Sequence, residues 1–216
     1  MADDGMASRL KAVSFPGPAG TIEGLWKEAS GAPRGSAVFA HPHPLQGGTL
    51  HNKVVYRASR TLAAAGYATL RFNFRGVGQS EGRHDDGRGE VFDFLAALDE
   101  AVRRGGLPVL AGGFSFGSAV ALRASAADAR VAALIAVGLP LASVPAESLP
   151  RPRVPALFVT GERDAYGPPA LLVEFVRDSG EIVIVPGATH FLEGKGDELA
   201  EAIGRFLAAL PVGMRA

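Results

Sequence analysis

The chain predicts an α/β fold, a mostly parallel twisted sheet covered by helices on both faces. Three observations carry this. Short β-branched or apolar runs alternate with amphipathic stretches, and turns rich in Gly, Pro and Asn separate them. Hydrophobic residues make up 47% and charged residues 20% of the sequence, which suffices to bury the core such a fold needs. No repeat or linker interrupts the pattern, so residues 1–216 read as one domain.

The elements follow in order. Residues 12–15 and 21–28 form an opening hairpin around Pro16-Gly17-Pro18. Residues 36–40 and 68–72 are strands, with a helix over about 53–65 between them and Gly66 as its stop. Over residues 90–104, Val91, Phe94, Leu95, Leu98 and Val102 fall on one stripe, which makes that stretch a helix. Then come strand 109–112, helix 117–126, strand 131–137, strand 156–160, helix 169–177, strand 182–185 and helix 197–210. Between the strands ending at Val137 and starting at Ala156 lie Pro140, Pro145, Pro150, Pro152 and Pro155. That density opposes a packed helical insertion.

Charge and composition exclude several classes. Lys+Arg and Asp+Glu both number 22, so no basic excess exists to neutralise phosphates, and nucleic acid is excluded as a partner. The absence of cysteine removes disulfides, thiolate metal sites and a cysteine nucleophile together. The opening stretch MADDGMASRLKAVSF starts acidic and has no apolar centre, so it is not read as a signal peptide. The nearly apolar run 131–144 is interrupted by Gly138 and Pro140. At about 14 residues it falls short of the roughly 20 that cross a bilayer. A cytoplasmic protein without membrane insertion is expected.

The chemistry centres on Gly113-Phe114-Ser115-Phe116-Gly117. A serine hydroxyl needs a base to take its proton and donors to stabilise the oxyanion it creates. A sharp strand-to-helix turn of the form G-x-S-x-G presents such a serine at its apex. With 28 glycines in the chain the bare pattern could arise by chance. Here, however, it follows the apolar run 107–112 and precedes the helix-like Gly117-Ser118-Ala119-Val120-Ala121-Leu122. The turn also aims the Phe116 N–H outward at a helix start, where an anion is stabilised.

An acid and a base should then follow in the order Ser, Asp or Glu, His, each after a later strand. Gly161-Glu162-Arg163-Asp164 follows the strand 156–160, and Pro186-Gly187-Ala188-Thr189-His190 follows the strand 182–185. Both land at strand C-terminal ends, where the sites of open α/β sheets gather. His190 is the candidate base, and Asp164 the candidate acid that orients it, with Glu162 as the alternative. A second oxyanion donor is expected from the loop His41-Pro42-His43-Pro44-Leu45-Gln46-Gly47-Gly48. Pro42 and Pro44 have no N–H, which leaves His43 first and Leu45 second. The rival reading joins His41 and His43 to His51 or His84 around a metal. It is disfavoured, because no carboxylate lies at ligand spacing nearby.

With these residues in place the chain resembles the α/β-hydrolase superfamily over nearly its whole length. It is most similar to small, lidless bacterial members of the dienelactone-hydrolase-like and carboxylesterase-like kind. The resemblance rests on His41-Pro42-His43-Pro44 with Gly47-Gly48, on Phe72-Asn73-Phe74-Arg75-Gly76-Val77-Gly78-Gln79-Ser80, on the turn at Ser115, and on the Asp164 and His190 loops. It implies an eight-stranded sheet with the second strand antiparallel, no cap domain, and no cofactor. It also implies hydrolysis of a small ester or thioester through an acyl-enzyme. Arg75 is read as structural. Its glycines Gly76, Gly78 and Gly82 have the wrong spacing for a dinucleotide fingerprint, and no helix opens there. Pro42 departs from relatives that carry glycine there, and the missing cysteine nucleophile separates the chain from dienelactone hydrolase itself.

A short 139–155 segment predicts an open site suited to short acyl chains or to the exposed end of a bulkier substrate, with Phe114, Phe116 and Leu45 as apolar neighbours, or with Phe114 simply packed in the core. The expected partner is a small-molecule ester-type substrate, and the expected assembly a monomer or homodimer. The alternatives are amide or peptide-end hydrolysis on the same residues, and a non-catalytic binding protein built on the same scaffold.

Overall fold

Strands that read as continuous apolar runs are expected to be covered on both faces, and that is how the sheet is built. The computed structural model describes residues 10–211. The residues before Leu10, on which part of the signal-peptide reading rests, lie outside them. The strands are β1 (Leu10–Gly17), β2 (Gly20–Lys27), β3 (Gly35–Ala40), β4 (Tyr67–Phe72), β5 (Val109–Phe114), β6 (Val131–Val137), β7 (Ala156–Gly161) and β8 (Glu181–Val185). The helices are α1 (Lys53–Ala64), α2 (Arg88–Gly105), α3 (Phe116–Ala127), α4 (Pro169–Val176) and α5 (Gly196–Ala209). All eight strands form one sheet in the order β1-β2-β4-β3-β5-β6-β7-β8. β2 runs antiparallel to both neighbours, and every pairing from β4 through β3 to β8 is parallel.

The period of two along each strand divides the interior into two cores. In β3, Val38 and Ala40 belong to the core that includes residues of α2, α3 and α4, whereas Ala37 and Phe39 belong to the one that includes residues of α1 and α5. β3 pairs with β4 on one side and β5 on the other, so the chain reverses direction of travel across the sheet there. A crevice at such a switch point is where open sheets hold their ligands.

Local chemistry explains the boundaries. Asn52 caps α1, its Oδ1 accepting the N–H groups of Val54 at 2.9 Å and Val55 at 3.4 Å. Gly66, at φ 93°, ends the same helix as expected. α2 begins before the expected Glu90, because the Glu90 carboxylate reaches back to accept from the Gly87 and Asp85 N–H groups, both at 2.8 Å. β5 continues past the expected Gly112, since Gly113 and Phe114 still pair with Ala136 and Val137. The opening hairpin turns one residue later than Pro16-Gly17-Pro18 suggested. Pro16 and Gly17 pair with Thr21 and Gly20, leaving Pro18 and Ala19 at the tip. β1 is an edge strand, where a proline's missing N–H is tolerated.

Between β6 and β7 the described chain forms only one short 3-10 turn, Ala146–Ser148. Among the described residues no cap covers the C-terminal edge of the sheet. Among the described residues no helix is long and apolar enough to cross a membrane.

Candidate active site

Ser115 sits between β5 and α3 with φ 56° and ψ −122°, a strained conformation for a residue with a side chain. Close packing maintains it. The Ser115 N–H donates to the Val137 carbonyl at 2.8 Å. A Cβ on Gly113 would lie 2.3 Å from the Gly117 carbonyl group, and one on Gly117 would lie 2.5 Å from the His41 oxygen. The two glycines of G-x-S-x-G therefore let the strand and helix touch each other and the end of β3.

His190 and Asp164 converge on this turn. His190 Nε2 lies 2.9 Å from Ser115 Oγ, and Nδ1 lies 2.9 and 2.8 Å from the two Asp164 oxygens. With a carboxylate on Nδ1, that nitrogen carries the proton and Nε2 is left to accept from the serine hydroxyl. Asp164 also accepts from the Tyr166 and Gly167 N–H groups at 2.8 Å and from the Thr160 hydroxyl at 3.2 Å. Burial alone would push the Asp164 carboxyl up. The hydrogen bonds from His190, Gly167 and Tyr166 outweigh it and hold the carboxyl below its ordinary range. Asp164 and His190 are 3% and 5% exposed, so both are shielded while the serine remains partly open. The imidazole packs between the rings of Phe114 at 5.0 Å and Tyr166 at 4.7 Å. A Cβ on Gly161 would meet the Ala188 and Thr189 oxygens at 2.4 and 2.5 Å, which shows how closely the acid and base loops abut.

Glu162, the alternative acid, faces elsewhere. Its Oε2 accepts the Gly187 N–H at 2.7 Å on the surface, so it fastens the two loops without reaching the imidazole.

The β3 exit loop separates its two histidines. His41 is fully buried, with Nδ1–H donating to the Pro42 oxygen at 2.6 Å and Nε2 accepting from the Phe74 N–H at 3.1 Å. Burial pushes its pKa down to about 4, so it is neutral and joins the exits of β3 and β4. His43 turns its ring to the surface, where Nδ1 accepts the Leu45 N–H at 3.2 Å. Leu45, the second candidate donor, is differently placed. Its N–H is engaged by the His43 ring, and its side chain is 74% exposed. No hydrogen bond occupies the His43 N–H among the described residues. Phe116, whose N–H opens α3 and so has no helical partner, packs its ring 5.1 Å from that of His43. Among the described residues no group of three or more His, Asp or Glu side chains could hold a metal ion.

Phe114 is wholly buried in the core beneath His190, the second of the two possibilities that its sequence left open. Arg75 forms a fork with Asp93 at 2.8 and 2.9 Å and donates to the Gly89 carbonyl, which fixes the β4 exit to α2. Sequence reasoning missed Arg71 and Asn73. They hold Leu50 through its carbonyl and its N–H, both at 2.8 Å, and so tie the β3 exit loop to β4. It also missed Phe191, which follows the base and is 51% exposed.

Known proteins match this chain over most of its length. A family model described as the alpha/beta hydrolase domain matches residues 34–202. The chain is 32% identical over 212 residues to an uncharacterized protein of Rickettsia prowazekii (strain Madrid E), covering 92% of this chain and 89% of the other. It is also similar to the structure of an alpha-beta serine hydrolase homologue from Coxiella burnetii. That match has a TM-score of 0.85 and 36% identity, and covers 90% of this chain and 96% of that one. A structure from Xanthomonas campestris, described as a serine hydrolase without lid, matches with a TM-score of 0.86 and 29% identity over 94% of this chain and 96% of its own.

Proposed function

The chain belongs to the alpha/beta hydrolase family as a small member without a lid, and from that premise we propose that it cleaves a small ester or thioester through an acyl-enzyme on Ser115. The observation that carries the reading is the continuous hydrogen-bonded line from Ser115 Oγ through His190 to Asp164.

In this mechanism the Ser115 hydroxyl oxygen bonds to the carbonyl carbon as His190 Nε2 takes its proton. The carbonyl oxygen becomes an oxyanion held by the N–H groups of Phe116 and His43. Asp164 stabilises the imidazolium that forms and keeps the ring oriented. As the bond to the leaving oxygen or sulfur breaks, His190 returns the proton to it. A water then attacks the acyl group, gives its proton to His190, and releases the acid and free Ser115. The short segment from Gly138 to Pro155 leaves the serine accessible from solvent, which favours short acyl chains or the exposed end of a larger molecule.

The test is hydrolysis of p-nitrophenyl acetate and butyrate by the wild-type protein and Ser115→Ala, together with labelling by a fluorophosphonate probe. The reading expects nitrophenol release that depends on Ser115, and a single label on that residue. Equal slow release by both proteins would remove it.

A further inference from the structure

A groove of about 700 Å³ opens between the start of α1 and the loop that follows His190. That volume is typical of small-molecule sites. Its apolar surface comes from Val54, Tyr56, Phe191 and Leu192, and its charged rim from Lys53 and Glu193. Phe191 is held facing it. His190 and Leu192 on either side are both buried, and Leu192 adopts a left-handed φ of 51° that few side chains accept. The ring is left against His190, with centroids 5.3 Å apart.

The direction of the chemistry decides which half of a substrate meets this groove. The carbonyl oxygen must face the N–H groups of Phe116 and His43. The leaving atom must come within hydrogen-bond reach of His190 Nε2, because that nitrogen returns the proton. The groove is lined from Phe191 onward, and the Phe191 ring lies against His190, so its near end adjoins the group that protonates the leaving atom.

Its charges are unevenly committed. Arg57 is ion-paired with Asp197 and donates to the Gly196 carbonyl at 2.9 Å. The Glu193 carboxylate accepts the Thr189 hydroxyl at 2.6 Å. Lys53 is exposed at the rim and makes no hydrogen bond or close ion pair among the described residues, although the Glu193 carboxylate lies within its electrostatic reach.

We propose that this groove binds the leaving group, and that the group it selects is an alcohol or thiol with an apolar body and an anionic far end, which Lys53 receives. The proposal rests on the ester-hydrolase reading above and deepens it. The reaction keeps its balance. The ester C–O or C–S bond breaks, the leaving atom takes the proton from His190, and the anion stays unchanged at Lys53. An exposed ion pair supports a preference of about fivefold.

The test compares two acetate esters of equal length, 6-acetoxyhexanoate and 6-acetoxyhexanamide, at low salt. Wild type is expected to show about fivefold higher kcat/KM for the carboxylate. Lys53→Gln should bring that ratio to about one, and Lys53→Glu below one. Lys11→Glu, which makes the same charge change on the far edge strand β1, should keep the wild-type ratio. A wild-type ratio of one, or the wild-type ratio persisting in Lys53→Glu, overturns the proposal. A binding arm separates the two readings. With Ser115→Ala, 6-acetoxyhexanoate binding measured by titration calorimetry should weaken about fivefold when Lys53→Glu is added. If neither ester shows Ser115-dependent turnover, the hydrolase reading fails. The calorimetry then decides the groove alone, and equal affinities reject it.

Discussion

Nδ1 of His190 bonds to both oxygens of Asp164, at 2.8 and 2.9 Å, while Glu162 two residues earlier is turned to the Gly187 N–H. The two carboxylates therefore make opposite predictions. Asp164→Asn keeps the shape but favours the wrong imidazole tautomer, and kcat should fall by roughly 10³- to 10⁴-fold. Glu162→Gln, at an exposed loop fastening, should stay within about threefold of wild type. Steady-state kinetics on p-nitrophenyl acetate decides between them, and a larger loss in Glu162→Gln would reverse the assignment of the acid.

That contrast also shows what a sequence can carry. Ser115, Asp164 and His190 were legible because each follows a strand, and the C-terminal ends of parallel strands share one edge of the sheet. The sequence ranks Asp164 ahead of Glu162 but does not show the physical reason. Residues two apart in a loop differ in direction by a backbone turn, and here the N–H groups of Tyr166 and Gly167 draw Asp164 inward. The oxyanion loop was half legible. Proline chemistry removed Pro42 and Pro44, but the engagement of the Leu45 N–H by the His43 ring is a tertiary detail. The groove at Phe191 left no trace in the sequence, since it exists only where α1 meets the 191–196 loop.

The elbow glycines should be intolerant of any side chain. Gly117→Ala would place a methyl 2.5 Å from the His41 carbonyl oxygen, backbone that cannot rotate away. A loss of about 3 kcal/mol, the upper range for overpacking, is expected in urea denaturation. Gly204→Ala is the control. It lies within α5 with nothing within 4 Å of a new Cβ, so it should gain about 0.5–1 kcal/mol from helix propensity.

Stability should fall on the acid side because of His41. Burial lowers its pKa from 6.5 to about 4 in the folded chain. Between those values the unfolded chain holds a proton that the folded chain does not, so stability is lost as pH drops from about 6.5 towards 4. The size is roughly 3 kcal/mol at most. His41→Gln should be less stable than wild type at pH 7.5 yet lose less on going to pH 5, as read from urea midpoints. Parallel losses in both proteins would show that another group sets the acid limb.

Arg75 should matter for folding and not for chemistry. The side chain of its partner Asp93 is 1% exposed, and Arg75 supplies a two-pronged salt bridge to it. Arg75→Ala would leave a buried carboxylate with, among the described residues, only the Arg75 N–H at 3.1 Å as a donor. An orphaned buried charge of this kind costs about 3–5 kcal/mol. Replacing both partners, as Arg75→Met with Asp93→Leu, removes the charge along with its partner and should recover much of that loss. Activity per folded molecule, counted by fluorophosphonate titration of Ser115, should stay within about threefold for the single variant. If it falls a hundredfold while the titrated fraction stays high, Arg75 contributes to the reaction, and the β4 exit loop would have to be counted as part of the active site.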